Sequence, residues 1–164
     1  MENPKSKKAL PTSLIQAYKQ AFDEAEQSSN PEKKIKAYIR VIEFCANTKS
    51  CRWNPDIKRN MLLYWAHNNI AKALMEERRY AEAIHYWQKS ILLAIDEVQK
   101  INVWEQMIEA WGKTAVSLQQ RCQEIIKIIN PLSEAYAKTA QPLEIKRLAK
   151  LKQSLAELIK KSAH

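Results

Sequence analysis

The amino-acid sequence predicts an all-α protein. It contains one glycine and six prolines among 164 residues, so it lacks the glycine-rich loops that bind phosphates, and a turn-rich all-β fold is improbable. Apolar residues recur at helical spacing along most of the chain, and no segment alternates apolar and polar residues with a period of two. With 46% hydrophobic and 27% charged residues, the composition is typical of a globular protein rather than a disordered one.

Capping residues mark the first two predicted helices. The first begins at Pro11-Thr12-Ser13 and keeps its apolar spacing as far as the polar run that opens with Gln27. Asn30 followed by a proline starts the second helix, because asparagine caps helices well and proline suits the first turn. Residues 48–55 form the least helical stretch of the body of the chain.

The third and fourth predicted helices form a pair. The third spans about residues 56–77, and the charged cluster Glu76-Glu77-Arg78-Arg79 forms the turn after it. Tyr80 opens the fourth helix, which we expect to continue through Ile95 toward Lys100, since apolar residues keep the helical spacing that far.

Prolines delimit the predicted C-terminal helices. A long fifth helix spans about residues 103–130, either continuous or broken near Arg121. We expect Asn130-Pro131 to stop it, because proline removes a backbone donor and disfavours the helical conformation of the residue before it. A short helix then covers residues 132–139, and Gln141-Pro142 starts the last helix.

Small and aromatic residues in the middle of the chain have the pattern of a helix–turn–helix repeat. Ala71 and Leu74 precede the run Tyr80-Ala81-Glu82-Ala83-Ile84-His85-Tyr86-Trp87, and this segment, residues 64–97, resembles the tetratricopeptide repeat. The resemblance implies that small residues let paired helices approach closely and that aromatic residues fill the space between units. The repeat-packing positions are Ala71, Leu74, Tyr80, Ala83, Trp87, Trp111 and Ala115.

Two further segments, residues 35–38 and 111–118, resemble parts of neighbouring units. They lie farther apart than the usual repeat of about 34 residues allows, as in extended variants of the family. The resemblance covers residues 12–130 and implies antiparallel helix pairs in a short right-handed solenoid. A generic helical bundle is the alternative, because any close antiparallel helix pair needs small residues.

The predicted organisation is a single domain with a tail. Residues 1–11 form a flexible basic N-terminal tail, 12–130 the repeat region, and 131–164 the capping helices of the same domain. Repeat arrays need a terminal cap with an apolar inner face, and a leucine stripe supplies it. Homodimerisation through that stripe is the alternative. Its members are Leu148, Leu151, Leu155 and Leu158.

The resemblance also implies a concave groove that binds a peptide or helix of a partner protein. Its predicted wall consists of Trp65, Asn68, Asn69, Lys72 and Met75. The first four recur at i, i+3, i+4 and i+7, so spacing alone places them on one helix face. The Asn69 carboxamide can bond a peptide backbone through donor and acceptor, and Lys72 suits an acidic group. Alternatively, the two asparagines simply lie in solvent.

Charge adds a second candidate function. Lys and Arg number 27 against 18 Asp and Glu, a net charge of +9, which attracts nucleic acid, anionic lipid or acidic protein alike. The candidate anion-binding run is Lys146, Arg147, Lys150 and Lys152 on the last helix. An RNA-binding protein that uses this helix is the alternative function, although no recognisable nucleic-acid-binding motif accompanies it. A solvated helix face is the ordinary interpretation.

The sequence contains no pattern that predicts catalysis. His67 and His85 lie on opposite helices of one pair, without a carboxylate at ligand spacing, and no nucleophile lies beside a base. We therefore expect a non-catalytic scaffold, adaptor or chaperone with no cofactor and no metal.

The cysteines predict a reducing compartment. Cys45, Cys51 and Cys122 are odd in number and lack metal-type spacing, so we expect reduced thiols in a cytoplasmic protein, with Cys45 and Cys122 as small core residues. A Cys45–Cys51 bridge is the alternative and requires the loop between them to fold back. No signal-like stretch and no run near 18 apolar residues occurs, so we expect no membrane partner.

Overall fold

The structure is a computed structural model that describes residues 11–48 and 57–162. Seven α-helices hold most of these residues, and none of the described residues lies in a β-strand, which confirms the predicted all-α class. The helices are α1 (Leu14–Glu26), α2 (Pro31–Asn47), α3 (Ile57–Glu76), α4 (Tyr80–Ile91), α5 (Glu97–Lys113), α6 (Leu118–Lys138) and α7 (Pro142–Ser162).

Local capping determines where α1 and α2 begin. The Ser13 hydroxyl accepts a hydrogen bond from the Gln16 amide at 3.3 Å, and the Asn30 carboxamide accepts one from the Lys33 amide at 3.3 Å. Both bonds satisfy donors that a helix start leaves unpaired. The predicted starts of these two helices are confirmed.

Each helix packs against the next one along the chain, and α1 also contacts α3. Most connections are only a few residues long, so neighbouring helices run antiparallel. An ion pair of 3.5 Å between Lys34 Nζ and Glu76 Oε2 joins the beginning of α2 to the end of α3, which makes this pair antiparallel as well. The array is solenoid-like, as predicted.

Two apolar clusters hold the array together. The first lies among α1 to α5, reaches α6 through Ile128 and includes Trp87 and Tyr64. The second lies between α6 and α7 and includes Leu132 and Leu148. On α5, Trp111 packs against both clusters. Because α7 covers the second cluster, it occupies the position that the sequence assigns to a terminal cap.

Two predicted helix boundaries in the middle of the chain were wrong. Helix α4 ends at Ile91, before Ile95, because the Asp96 carboxylate caps α5 by accepting a 2.8 Å hydrogen bond from the Gln99 amide. The predicted fifth helix is two helices, α5 and α6, and the break lies at residues 114–117 rather than near Arg121. The Ser117 hydroxyl caps α6 after this break.

Pro131 does not stop a helix, contrary to prediction. It lies inside α6, which continues to Lys138. The next turn buries Leu132, Ala135 and Tyr136, and this apolar burial offsets the backbone hydrogen bond that proline removes. The predicted boundary between the repeat region (residues 12–130) and the capping helices (residues 131–164) therefore falls within α6.

Two helices end with a residue in the left-handed region. Arg78 has a φ of 59° after α3, and Ala140 has a φ of 55° after α6. The Arg79 amide donates a hydrogen bond to the Leu74 carbonyl at 2.9 Å, and the Gln141 amide donates one to the Tyr136 carbonyl at 3.0 Å. This is the Schellman arrangement, and it places the turn after α3 where the sequence predicts it.

The cysteines differ from expectation. Cys45 is disulfide-bonded, so the prediction of a reduced thiol was wrong at this position, whereas Cys122 is free and buried. Cys45 lies in the last turn of α2, next to the segment that leads to α3. Cys51, the rest of the predicted loop at residues 49–56 and residues 1–10 of the predicted tail lie outside the described residues.

Candidate functional site

From Leu62 to Leu74, helix α3 is buried on nearly all sides and leaves one narrow stripe at the surface. Its buried side chains point to all the remaining sides of the helix axis. The stripe contains Trp65, which is 38% exposed, the half-buried Asn69 and the exposed Lys72. These three residues, which we call the α3 face, follow one another at i, i+4 and i+7, so they share one side of the helix.

Asn69 is held in place by a tyrosine of the neighbouring helix α1. Its Nδ2 donates a hydrogen bond to the Tyr18 hydroxyl at 3.3 Å, and the Tyr18 ring lies 5.9 Å from that of Tyr38. Burial raises the pKa of Tyr18 above its usual range, so its hydroxyl stays neutral at physiological pH. The Asn69 amide is therefore oriented before any ligand arrives.

The contribution of Tyr18 to this site was not predicted from the sequence. The sequence offers one signal, a tyrosine within the apolar stripe of α1. A tyrosine at such a position indicates a partly buried hydroxyl, which needs a hydrogen-bond partner. Which partner it finds depends on how α1 packs against α3, and that packing cannot be read from either helix alone.

Asn68 does not belong to the surface, contrary to prediction. Its side chain has no solvent exposure, and its Oδ1 accepts a hydrogen bond from Trp87 Nε1 at 2.9 Å. The position follows from the helix geometry, because Asn68 lies toward α4 whereas Trp65 and Asn69 lie on the stripe. Neither the predicted wall position nor the solvated alternative is correct for Asn68.

Met75 and Trp65 both contact residues of the first apolar cluster. Met75 is half-buried and packs against the first apolar cluster, so it lies beside the α3 face rather than on it. Trp65 contacts the Tyr64 ring edge-on, with centroids 5.2 Å apart. This contact limits the freedom of the exposed indole.

Most of the predicted repeat-packing positions are buried or half-buried. Ala115 is the exception: it is exposed and lies in the loop after α5, because α5 ends before it at Lys113. The match of residues 111–118 to one continuous helix was therefore wrong. The buried positions are Ala71, Leu74, Ala83 and Trp87, and the half-buried ones are Tyr80 and Trp111.

His67 lies inside the α3–α4 pair, opposite the helix that carries His85. It is 8% exposed, and its ring centroid lies 5.8 Å from that of Tyr86. Burial first, and then the charges of Lys89 and His85, lower the pKa of His67 to about 4. Its Nδ1 finds no hydrogen-bond partner within the described part of the chain, so we interpret it as a neutral packing residue.

The basic run on α7 is partly engaged in local contacts. Lys146 and Lys150 are exposed. Arg147 pairs with Glu144 at 3.1 Å, and Lys152 donates to the Asn130 carboxamide at 2.7 Å. Of the four predicted anion-binding side chains, two therefore already have partners in the protein.

Among residues 11–48 and 57–162, no cluster of His, Cys, Asp and Glu side chains has the number of ligands that a metal ion requires. No helix described in the structure combines the length and the apolar character that crossing a membrane requires.

No protein family model matches the chain, and no curated protein is significantly similar to it.

Proposed function

We propose that this protein is a non-catalytic scaffold, adaptor or chaperone, and that its helix pairs are extended tetratricopeptide-like units that hold a peptide or helix of a partner protein on the α3 face. The observation that carries the proposal is the burial pattern of α3. A helix packed on nearly every side still presents Trp65, Asn69 and Lys72 to solvent in one row.

The three side chains provide complementary interactions. The Trp65 indole offers apolar contact area, and aromatic anchors contribute much of the affinity of protein interfaces. The Asn69 amide, oriented by Tyr18, offers directional bonds to a peptide backbone. Lys72 forms no ion pair with the described residues, so its charge is available to an acidic partner.

The antiparallel array supports a repeat-type scaffold. In a solenoid the first helices of successive units line one common face, and here α1 lies against α3 with Tyr18 bonded to Asn69. The cytoplasmic location remains a prediction. The disulfide of Cys45 argues against it, because disulfides form mainly in oxidising compartments.

A comparative capture experiment tests the proposal. The immobilised wild-type protein, the double variant Asn69→Ala/Lys72→Glu and the control Lys150→Glu are exposed to a native lysate with and without nuclease. Bound proteins are quantified by mass spectrometry. We expect a defined acidic partner that survives nuclease, is lost with the double variant and is retained by the control. The melting temperatures of the three proteins should stay within a few degrees of one another.

The same experiment distinguishes the RNA-binding alternative. Capture that collapses with nuclease and weakens with Lys150→Glu, but not with the double variant, would make the basic side of α7 the functional surface. The α3 face would then have only a structural role.

A further inference from the structure

A cleft of about 530 Å³ opens at one edge of the helix array, between the α3–α4 turn and the α5–α6 loop. Its volume lies within the range of ligand-binding pockets. None of the three residues of the α3 face lines it. The cleft is therefore a second candidate site, independent of the proposed function.

Both walls of the cleft carry apolar side chains. Tyr80 opens α4 on one wall, and Trp111 and Val116 lie on the other. Trp111 is half-buried and packs against both apolar clusters, so its ring is held in position. Such a surface favours an aliphatic or aromatic group of a ligand.

The cleft also carries positive charge on both walls. Arg78, Arg79 and Lys113 line it, and Glu82 is the one acidic side chain among the described lining residues. Glu82 is paired with Arg79 at 2.6 Å. Arg79 also pairs with Glu32, so its charge is locally neutralised by two carboxylates.

Arg78 and Lys113 are the cations that remain for a ligand. Arg78 is exposed and forms no ion pair with any residue that the structure describes. Lys113 pairs with Glu109 at 2.6 Å on the surface of α5. Exposed pairs of this type are weak, so the Lys113 ammonium can turn to an anion in the cleft at little cost.

We propose that this cleft binds an acidic segment of a partner protein. A carboxylate of that segment pairs with Arg78 and Lys113, and a neighbouring apolar side chain packs against Trp111. The combination distinguishes this ligand from a nucleic acid, because a phosphate backbone requires a row of cations, whereas here two cations lie beside an apolar surface.

Amide NMR of the full chain tests the proposal, with the peptide acetyl-Glu-Leu-Glu-Leu-amide as the probe. We expect chemical-shift changes centred on the amides of residues 78–82 and 111–116. The matched peptide with Gln in place of each Glu (the Gln-Leu peptide) should bind more weakly, and the Glu-Leu peptide should bind more weakly at about 0.5 M NaCl. Arg78→Gly removes the guanidinium at a left-handed position that suits glycine. It should raise the Kd about fivefold or more without loss of stability.

Two further variants serve as matched controls. Arg78→Lys keeps the charge and should bind nearly as well as the wild type, and Lys36→Gln removes an exposed lysine elsewhere and should have no effect. The proposal is overturned if Arg78→Gly binds the peptide as tightly as the wild type, or if the Gln-Leu peptide binds equally well.

The position and source of the ligand are also tested. Shifts centred on Trp65, Asn69 and Lys72 would place the peptide on the α3 face and overturn the assignment to the cleft. Equal binding of N-acetylleucine would indicate a site for small carboxylates rather than for a protein segment. Because the α3 face is tested by different variants, failure at the cleft leaves the proposed function unaffected.

Discussion

The Asn68 carboxamide accepts a hydrogen bond from the Trp87 indole at 2.9 Å, and neither side chain is exposed to solvent. The bond joins α3 to α4 inside the first apolar cluster. A buried indole N–H without a partner carries the full cost of its lost hydration. The hydrogen bond therefore favours one specific register of α3 against α4. Apolar contacts alone discriminate less strongly between registers, because they are not directional.

Breaking this pair should destabilise the protein. We expect Asn68→Leu and Trp87→Phe each to lower the free energy of unfolding by about 1–3 kcal/mol, because each leaves a buried polar group unpaired. Denaturant unfolding measures the change. Asn69→Ala, which breaks a partly exposed bond on the same helix, is the control and should cost about 1 kcal/mol or less. A neutral Asn68→Leu variant would contradict the role assigned to the pair.

His67 should make stability depend on pH. Its pKa in the folded protein is about 4, below the ordinary 6.5, so between these values the unfolded chain binds a proton that the folded protein excludes. Stability should therefore be full above pH 6.5 and fall by about 3 kcal/mol as the pH drops toward 4. Unfolding free energies measured across this window check the slope.

Two variants isolate the contribution of His67. His67→Phe removes the titrating group and should flatten the pH dependence in that window. His85→Gln on the exposed side of α4 should reduce it only slightly, because the charge of His85 is the smallest of the three causes that lower the pKa of His67. An unchanged slope in His67→Phe would show that other groups cause the acid sensitivity.

The left-handed residue after α6 should be improved by glycine. Ala140 has a φ of 55°, a conformation that costs an L-residue about 1 kcal/mol relative to glycine. We expect Ala140→Gly to raise the melting temperature. The same substitution at Ala137, inside the last turns of α6, should lower stability by about 0.5–1 kcal/mol. Equal effects at the two positions would contradict the Schellman assignment.

The cap formed by α7 can be tested with two leucines of the same helix. Leu148 is 6% exposed and belongs to the second apolar cluster, whereas Leu143 is 78% exposed. Leu148→Ala should cost about 2–5 kcal/mol, and Leu143→Ala should be nearly neutral. Thermal or denaturant unfolding measures both. If Leu148→Ala were as neutral as Leu143→Ala, α7 would not be part of the stable core.

The disulfide of Cys45 gives a chemical prediction. In denaturant without a reductant, an alkylating agent should modify Cys122 but not Cys45, and Cys45 should react only after reduction. Peptide mass spectrometry locates the modified cysteines. Applied to protein trapped directly from cells, the same measurement tests the compartment, because a reduced Cys45 in cells would favour the predicted cytoplasm.

The sequence by itself determined the fold class and the features that depend on neighbouring residues. The scarcity of glycine and the helical spacing of apolar residues predict helices. Ser13 and Asn30 mark helix starts because a capping side chain bonds an amide only three residues away. The row of Trp65, Asn69 and Lys72 was also predictable, since residues at i, i+4 and i+7 share a helix face wherever the helix packs.

Only the tertiary structure decided which of these local patterns prevailed and which side chains meet. Pro131 is a local signal to stop, yet α6 continues because its next turn is buried against α7. Asn68 looks like a surface residue in the sequence but is buried, since its partner Trp87 comes from another helix. The bond between Asn69 and Tyr18, and the cleft beside Trp111, likewise join segments far apart in the chain. Such contacts depend on how whole helices pack, and no short stretch of sequence contains that information.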